Sequence, residues 1–337
     1  MDGLLVIDKP AGPTSHEVVA RVRRALGERR IGHTGTLDPA ATGVLPLVLG
    51  RATRLARFLS ASDKSYDAVF RLRVATDTHD AEGTPAGPAY QGPLPSCEAI
   101  DRALDAFRGT FLQQPPAYSA KKIDGRRSYR LARAASRSQV EGSHLFYTGA
   151  DASPQTARHG RRRSPAISPL PAPVSVTVGA IDIVSVDGDC VTLHVDCSAG
   201  FYVRALAHDL GEQLGIGAHL LGLRRTRSGD VTLDQALALD AIEREPARGV
   251  RAVVPLSRML PGLSAVMLTS EGVRHAIHGR DIGPADLEKG VGSLFHTSAE
   301  KKTPDPFFRL VDLAGDLVAI AIPAGASGLL HPAVVLM

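Results

Sequence analysis

No stretch of this 337-residue chain approaches the roughly 20 consecutive apolar residues of a membrane-spanning helix, although 44% of its residues are hydrophobic. The opening MDGLLVIDKPAG lacks the basic start and small-residue cleavage site of a secretory leader. Cysteine is scarce. Cys97, Cys190 and Cys197 include no CxxC pair and cannot all pair with one another, which argues against a disulfide scaffold and against zinc. The 12 histidines contain no HxxxH or HExxH spacing. A soluble cytoplasmic protein with no metal and no cofactor is therefore expected. A large charge excess is missing too: the net charge is +4, and residues from Met259 onward hold six Lys/Arg against eight Asp/Glu. The body ahead of them is thus basic, which fits a polyanionic partner and equally fits arginines that only solvate helices.

What is present is a mixed order of short elements. Leu4–Ile7 reads as a strand, and Thr14 with Glu17 stands at capping-box spacing at the head of a helix. Val18, Val19, Val22 and Leu26 stripe that helix and Gly27 is placed to end it. From Tyr66 the period changes to two, with Tyr66, Ala68, Phe70, Leu72 and Val74 on one face of a strand. Asp187-Gly188 predicts a hairpin turn before the alternating Val191, Leu193 and Val195, and a helix is predicted over about 201–214. Without a regular βαβ rhythm, the fold class is α+β: a mainly antiparallel mixed sheet with flanking helices. The pattern breaks near Glu245–Pro261. A β-rich module follows, with Phe307–Val311 and Leu317–Ile322 as a hairpin turning at Ala314-Gly315. The expected domains are 1–258 and 259–337. Residues 136–173, with six serines, five prolines and the run Arg161-Arg162-Arg163, read as a disordered insertion in the first.

The most unusual segment is Gly32-His33-Thr34-Gly35-Thr36-Leu37-Asp38-Pro39, continuing to Pro46. Three glycines and two prolines in fifteen residues predict a constrained loop and no central strand. It is neither GxxxxGK[ST] nor GxGxxG, so a nucleotide-phosphate cradle is not indicated. Alone, it is equally a glycine turn with a solvent-facing Asp38. Other segments accompany it: Lys9-Pro10-Ala11-Gly12-Pro13-Thr14-Ser15-His16, Pro115-Pro116-Ala117-Tyr118-Ser119-Ala120, Tyr202-Val203-Arg204, Asp209-Leu210-Gly211 and Leu223-Arg224-Arg225. Together these resemble the TruB family of tRNA pseudouridine synthases, over about 1–135 and 174–240. Every fixed position of the family's GHTGxLDPxATGxLP loop is matched.

The resemblance implies the pseudouridine synthase fold and isomerisation of uridine 55 in the T loop of tRNA after base flipping. It also implies that the C-terminal module is a PUA-like RNA-binding barrel. Asp38 is similar to the family's catalytic aspartate, Tyr66 to the tyrosine lying against the base, and Arg204 to the partner of the aspartate. His33 resembles the histidine filling the gap left by the base, and Leu223 an apolar pocket residue. Tyr202, Lys9 and Lys122 are further substrate-binding candidates. A guanidinium, which keeps its proton and offers a planar fork, suits the task of holding a carboxylate ionised. Arg204, off the Val203–Leu206 stripe, is expected to reach outward; the alternative is a surface arginine paired with Asp209 or another helix carboxylate. The partner implied is the tRNA T arm, with no membrane and no obligatory protein partner for a monomer. Competing readings are a guide-RNA-dependent synthase subunit and an RNA-folding protein with secondary catalysis.

Overall fold

The structure is a computed structural model that describes residues 1–118, 122–123, 126–127, 171–288, 307–325 and 328–337. The expected insertion lies outside these residues except for 171–173, as does the side chain of Lys122. The chain forms two compact units, Met1–Ser65 with Arg224–Met337, and Tyr66–Leu223.

In the first unit, strand β1 (Gly3–Lys9) leads to helix α1 (Ser15–Leu26), followed by strands β2 (Ile31–His33) and β3 (Thr42–Leu49). The helix begins where the sequence says it should. Glu17 N donates to Thr14 Oγ1 at 3.1 Å and Thr14 N donates back to Glu17 Oε2 at 2.7 Å, which satisfies two orphan amides. Gly27 ends the helix in the left-handed region at φ 65°. Its stripe of Val18, Val19 and Val22 packs on Leu5, Ile7, Leu45, Leu47 and Leu49. The other face of the β1–β3 ladder supplies Leu4, Val6, Val44 and Val48 to a second core.

β3 corrects one expectation. The segment from Gly32 to Pro46 is expected to be loop throughout, yet Thr42–Pro46 lies in the largely buried strand β3, antiparallel to β1 and to β2, and Gly32 and His33 lie in β2. Pro46 is accommodated because Thr34 N donates to its carbonyl at 3.1 Å. A strand residue presents N and C=O on the same side, so the missing donor faces Thr34, beyond the end of β2, and the β1 ladder loses nothing.

The C-terminal residues form a four-stranded sheet in the order Ala265–Met267, Phe308–Val311, Leu317–Pro323, Leu330–Val335. The expected hairpin is present, antiparallel with a bulge at Leu310/Val311. Helix Ser270–Ile277, capped by Thr269, covers this sheet with Ala276. Val311, Leu317, Ile320 and Leu336 belong to the same core as Leu4 and Val48.

In the second unit, the buried Tyr66, Ala68, Phe70 and Leu72 alternate as read. Val74 falls past the strand, where Arg73 turns the chain at φ 79°. Strands Val174–Asp187 and Cys190–Cys197 form a hairpin, and Gly109–Gln113 pairs antiparallel with Val174–Val178. Helices Cys97–Leu104 and Val203–Gln213 flank these strands. The class is α+β, with a mainly antiparallel mixed sheet, flanking helices and a small C-terminal sheet. Among the described residues no helix is long and apolar enough to cross a membrane.

Candidate active site

In the first unit, two of the sequence segments singled out, Lys9–His16 and Arg224-Arg225, converge on the loop that carries Asp38. Lys9 is 0% exposed, and its ammonium donates to the carbonyls of Pro10, Pro39 and Ala41 at 2.9, 2.9 and 2.7 Å. Gly12 N donates to Pro39 O at 2.9 Å. Ser15 Oγ accepts from Leu37 N at 2.9 Å and donates to Leu37 O at 3.1 Å. Beneath the loop runs Arg225, 1% exposed, donating to Val44 O at 2.7 Å and Gly35 O at 3.2 Å. Gly43, at φ 100°, lies so close that a Cβ there would run into the Arg225 backbone. Glycine is required at that position for space and for conformation alike.

The result is a loop whose backbone is fastened on both sides of Asp38 while Asp38 itself stays partly exposed between buried Leu37 and Ala41. Burial lowers Lys9 to about 8, and the nearby Asp38 carboxylate opposes that shift. His33 meets His16 edge-to-face at 5.1 Å between centroids. Burial, then His16 and Arg225, push His33 down to about 4, and its Nδ1 is buried without a hydrogen-bond partner.

In the second unit three segments meet at Arg204. Expected to reach outward, it is instead only 8% exposed at the head of helix Val203–Gln213. Its guanidinium donates to Tyr118 O at 2.8 Å, to Thr78 O at 3.3 Å and to Asp80 Oδ2 at 3.4 Å. Within this unit it ion-pairs with Asp80, from a turn after strand Lys64–Leu72. A buried guanidinium needs such partners, because uncompensated burial of a charge is strongly unfavourable. Tyr202 precedes Arg204 with its backbone clasped by buried Gln113, whose Oε1 accepts from Tyr202 N at 2.8 Å and whose Nε2 donates to Tyr202 O at 3.0 Å. Tyr66 is buried and Leu223 half-buried, both in this unit.

A family model described as TruB family pseudouridylate synthase (N terminal domain) matches residues 23–146, and one described as tRNA pseudouridylate synthase B C-terminal domain matches 204–261. A protein named tRNA pseudouridine synthase B from Solibacter usitatus (strain Ellin6076) is 39% identical, with 100% of each chain covered. The chain belongs to the TruB family. The protein of the same name from Thermobifida fusca (strain YX) is 40% identical over 86% of this chain and 90% of its own. Among solved structures, a chain of a Cbf5–Nop10–Gar1 complex aligns with a TM-score of 0.65 at 25% identity, covering 99% of this chain and 85% of that one.

Seen as TruB motifs, the KPxG, TSH, GHTGxLDP and LRR elements are parts of one loop mounting, and YxR with PPxY are parts of one guanidinium cradle. Lys9, expected to bind substrate, has all three ammonium hydrogens taken by backbone carbonyls and presents no free donor to a polynucleotide. Three contributors were passed over by sequence reading: Ser15, Arg225 and Asp80. Ser15 and Arg225 lay inside quoted motifs. Asp80 carried a fainter signal, a Thr-Asp-Thr-His-Asp run of turn-forming residues directly after a strand. Among the described residues no group of three or more His, Cys, Asp or Glu could hold a metal ion, and the three cysteines are free thiols.

Proposed function

We propose that this chain isomerises one uridine of tRNA, uridine 55 of the T loop, to pseudouridine, with Asp38 as the catalytic carboxylate. The observation that carries this reading is the mounting of Asp38. It is the sole acid between Gly32 and Pro46, on a loop tied down by Lys9, Ser15 and Arg225. Such preorganisation is what a reacting group needs, since small displacements cost large factors in rate. In the reaction the N1–C1′ bond breaks, C1′ rejoins at C5, C5 loses its proton and N1 gains one, so no co-reactant enters. Arg204 acts as the cationic partner of Asp38, and Tyr66 lies against the extruded base. Flipping the base costs a few kcal/mol, and stacking on an aromatic ring restores roughly 1–3 kcal/mol. Leu223 lines the base pocket, His33 fills the space the base vacates, and Tyr202 and Lys122 are further substrate-binding residues. Residues 259–337 act as a PUA-like RNA-contact module. Their net negative charge suits contacts of shape more than the bulk of the phosphate-driven affinity. The enzyme works as a cytoplasmic monomer without an obligatory protein partner.

The test uses an unmodified T-arm transcript with wild type and Asp38→Asn, pseudouridine being mapped by its chemical adduct. Wild type converts a single uridine, and Asp38→Asn is slower by on the order of 10³-fold or more. An Asp38→Asn protein with undiminished turnover would exclude Asp38 as the catalytic group. The likeness to a Cbf5 chain in a multi-protein complex favours one second reading, a guide-dependent subunit. Conversion of the bare transcript, with nothing else added, rules that reading out.

A further inference from the structure

The turn that presents Asp80 to Arg204 is braced by its own side chains. Asp80 Oδ1 accepts from the Thr78 hydroxyl at 2.5 Å and from Glu82 N at 3.1 Å. Thr76 Oγ1 donates to Asp80 O at 2.7 Å, and Thr84 N donates to Asp77 Oδ1 at 2.8 Å. Main-chain bonds at 3.0 Å, Leu220 N to His79 O and Ala81 N to Leu220 O, hold the turn beside Leu220. Apart from the guanidinium's own bonds, these contacts do not tie the turn to the helix that carries Arg204. The His79 side chain does. Its ring lies flat on the ring of His208, centroids 3.9 Å apart and planes within 5°. His208 stands four residues beyond Arg204, on the same face of the helix.

This contact is held against two unfavourable terms. His79 adopts φ 63°, a left-handed conformation that residues with a side chain seldom take. Both Nδ1 atoms are buried and neither has a hydrogen-bond partner, an arrangement that costs stability unless something else requires it. Neither term is needed to fill space, which an apolar pair would do better.

We propose that the His79–His208 stack is a clasp that positions Arg204, locking the Thr78–Asp80 turn to the helix face from which the guanidinium projects. The two histidines are positioning residues and need not touch RNA. The inference rests on the reading of Arg204 as an active-site group. It also carries a pH dependence, because a charged ring in the stack would face a guanidinium. His79 is faced by His208 and Arg204 from the helix and by Asp77 and Asp80 from its own turn. His208 has Asp209 beside it on the helix, and Glu212 acts on Asp209. Burial first, then His208 and Arg204, lower His79 to about 4, against the opposing pull of the two aspartates. At neutral pH the clasp is therefore closed, and acid opens it.

The experiment compares full-length wild type, His208→Ala, His208→Phe and His79→Asn in single-turnover conversion of T-arm transcript at about pH 7.5, with RNA affinity measured in parallel. His208→Ala is expected to slow turnover by at least about tenfold at pH 7.5 while the Kd for RNA changes by less than about twofold. Phenylalanine keeps a ring to stack, so His208→Phe is expected to recover the rate to within about threefold. His79→Asn tolerates the left-handed backbone but offers no ring, and is expected to behave like His208→Ala. Wild-type turnover by His208→Ala overturns the clasp, as does a His208→Phe protein as slow as His208→Ala. Should His208→Ala melt below the assay temperature, the other two variants decide: a slow His208→Phe protein, or wild-type turnover by His79→Asn, overturns the proposal. Wild type that makes no pseudouridine sinks the functional reading itself, whereas active wild type with an indifferent His208 sinks only the clasp.

Discussion

An ammonium removed from water must be given partners in return, and Lys9 obtains three from the backbone carbonyls of Pro10, Pro39 and Ala41. A methionine in its place would fill the same volume and donate nothing, leaving three inward carbonyls unmatched. Lys9→Met is therefore expected to lower unfolding stability by roughly 2–5 kcal/mol, measurable as a shift of the denaturant midpoint at unchanged m. Because the loop on either side of Asp38 loses its tether, turnover should fall further than stability alone accounts for. None of this was legible in the sequence. A lysine before Pro10 invites the reading of a phosphate contact, and nothing nearby says that its acceptors lie 30 and 32 residues away. Asp80 was passed over for the same reason, since its guanidinium partner lies 124 residues away. Asp38 was legible because its flanking residue types repeat a whole motif, so recognition did not depend on knowing a distance.

At the scale of elements, what could be read was what is local. The helix after Thr14 announced itself because capping box, apolar stripe and Gly27 all act within one or two turns. The hairpin after Asp187 did so through its Gly188 turn at φ 56°. β3 was misread because Gly43 and Pro46 are poor strand residues by local preference, whereas β1, β2 and the segment at Arg224-Arg225 supply a ladder no propensity foresees. Two glycines separate strain from crowding. Gly12, at φ 104° with open space around it, and Gly43, at φ 100° against the Arg225 backbone, are similar in conformation and opposite in surroundings. Gly12→Ala is expected to cost about 1–2 kcal/mol of strain. Gly43→Ala is expected to cost more, about 3 kcal/mol or above, because β3 and Arg225 must also part. Parallel thermal melts of the two variants test this; equal losses would mean that Arg225 yields easily.

For the whole molecule, two half-buried histidines, His33 and His79, bear on the acid limit. Burial is the main cause that lowers both His33 and His79 to about 4, against roughly 6.5 in an unfolded chain. Between those values the unfolded chain binds protons that the fold refuses, so stability is intact above about pH 6.5 and is lost as pH falls toward 4. Melting temperature should be flat from pH 7 to 8 and drop below about 6.5, and a His33→Gln, His79→Asn double variant should show a shallower drop. The shared core of Leu4, Val6 and Val48 with Val311, Leu317 and Leu336 makes a second expectation. Leu317→Ala should destabilise by about 2–5 kcal/mol, and removing 259–337 should yield an aggregating protein, detectable by size-exclusion chromatography, because β1 and β3 would lose their cover. The sequence alone determined the family, the α+β class and the locally capped elements, and it singled out Asp38 as the candidate catalytic aspartate, since each is written in residue types at short, regular spacings. Only the tertiary structure decided which charges are buried, which carbonyls Lys9 and Arg225 hold, that Asp80 pairs with Arg204, and that His79 stacks on His208. Those outcomes depend on atoms brought together from far along the chain, and burial, unlike periodicity, has no local signature.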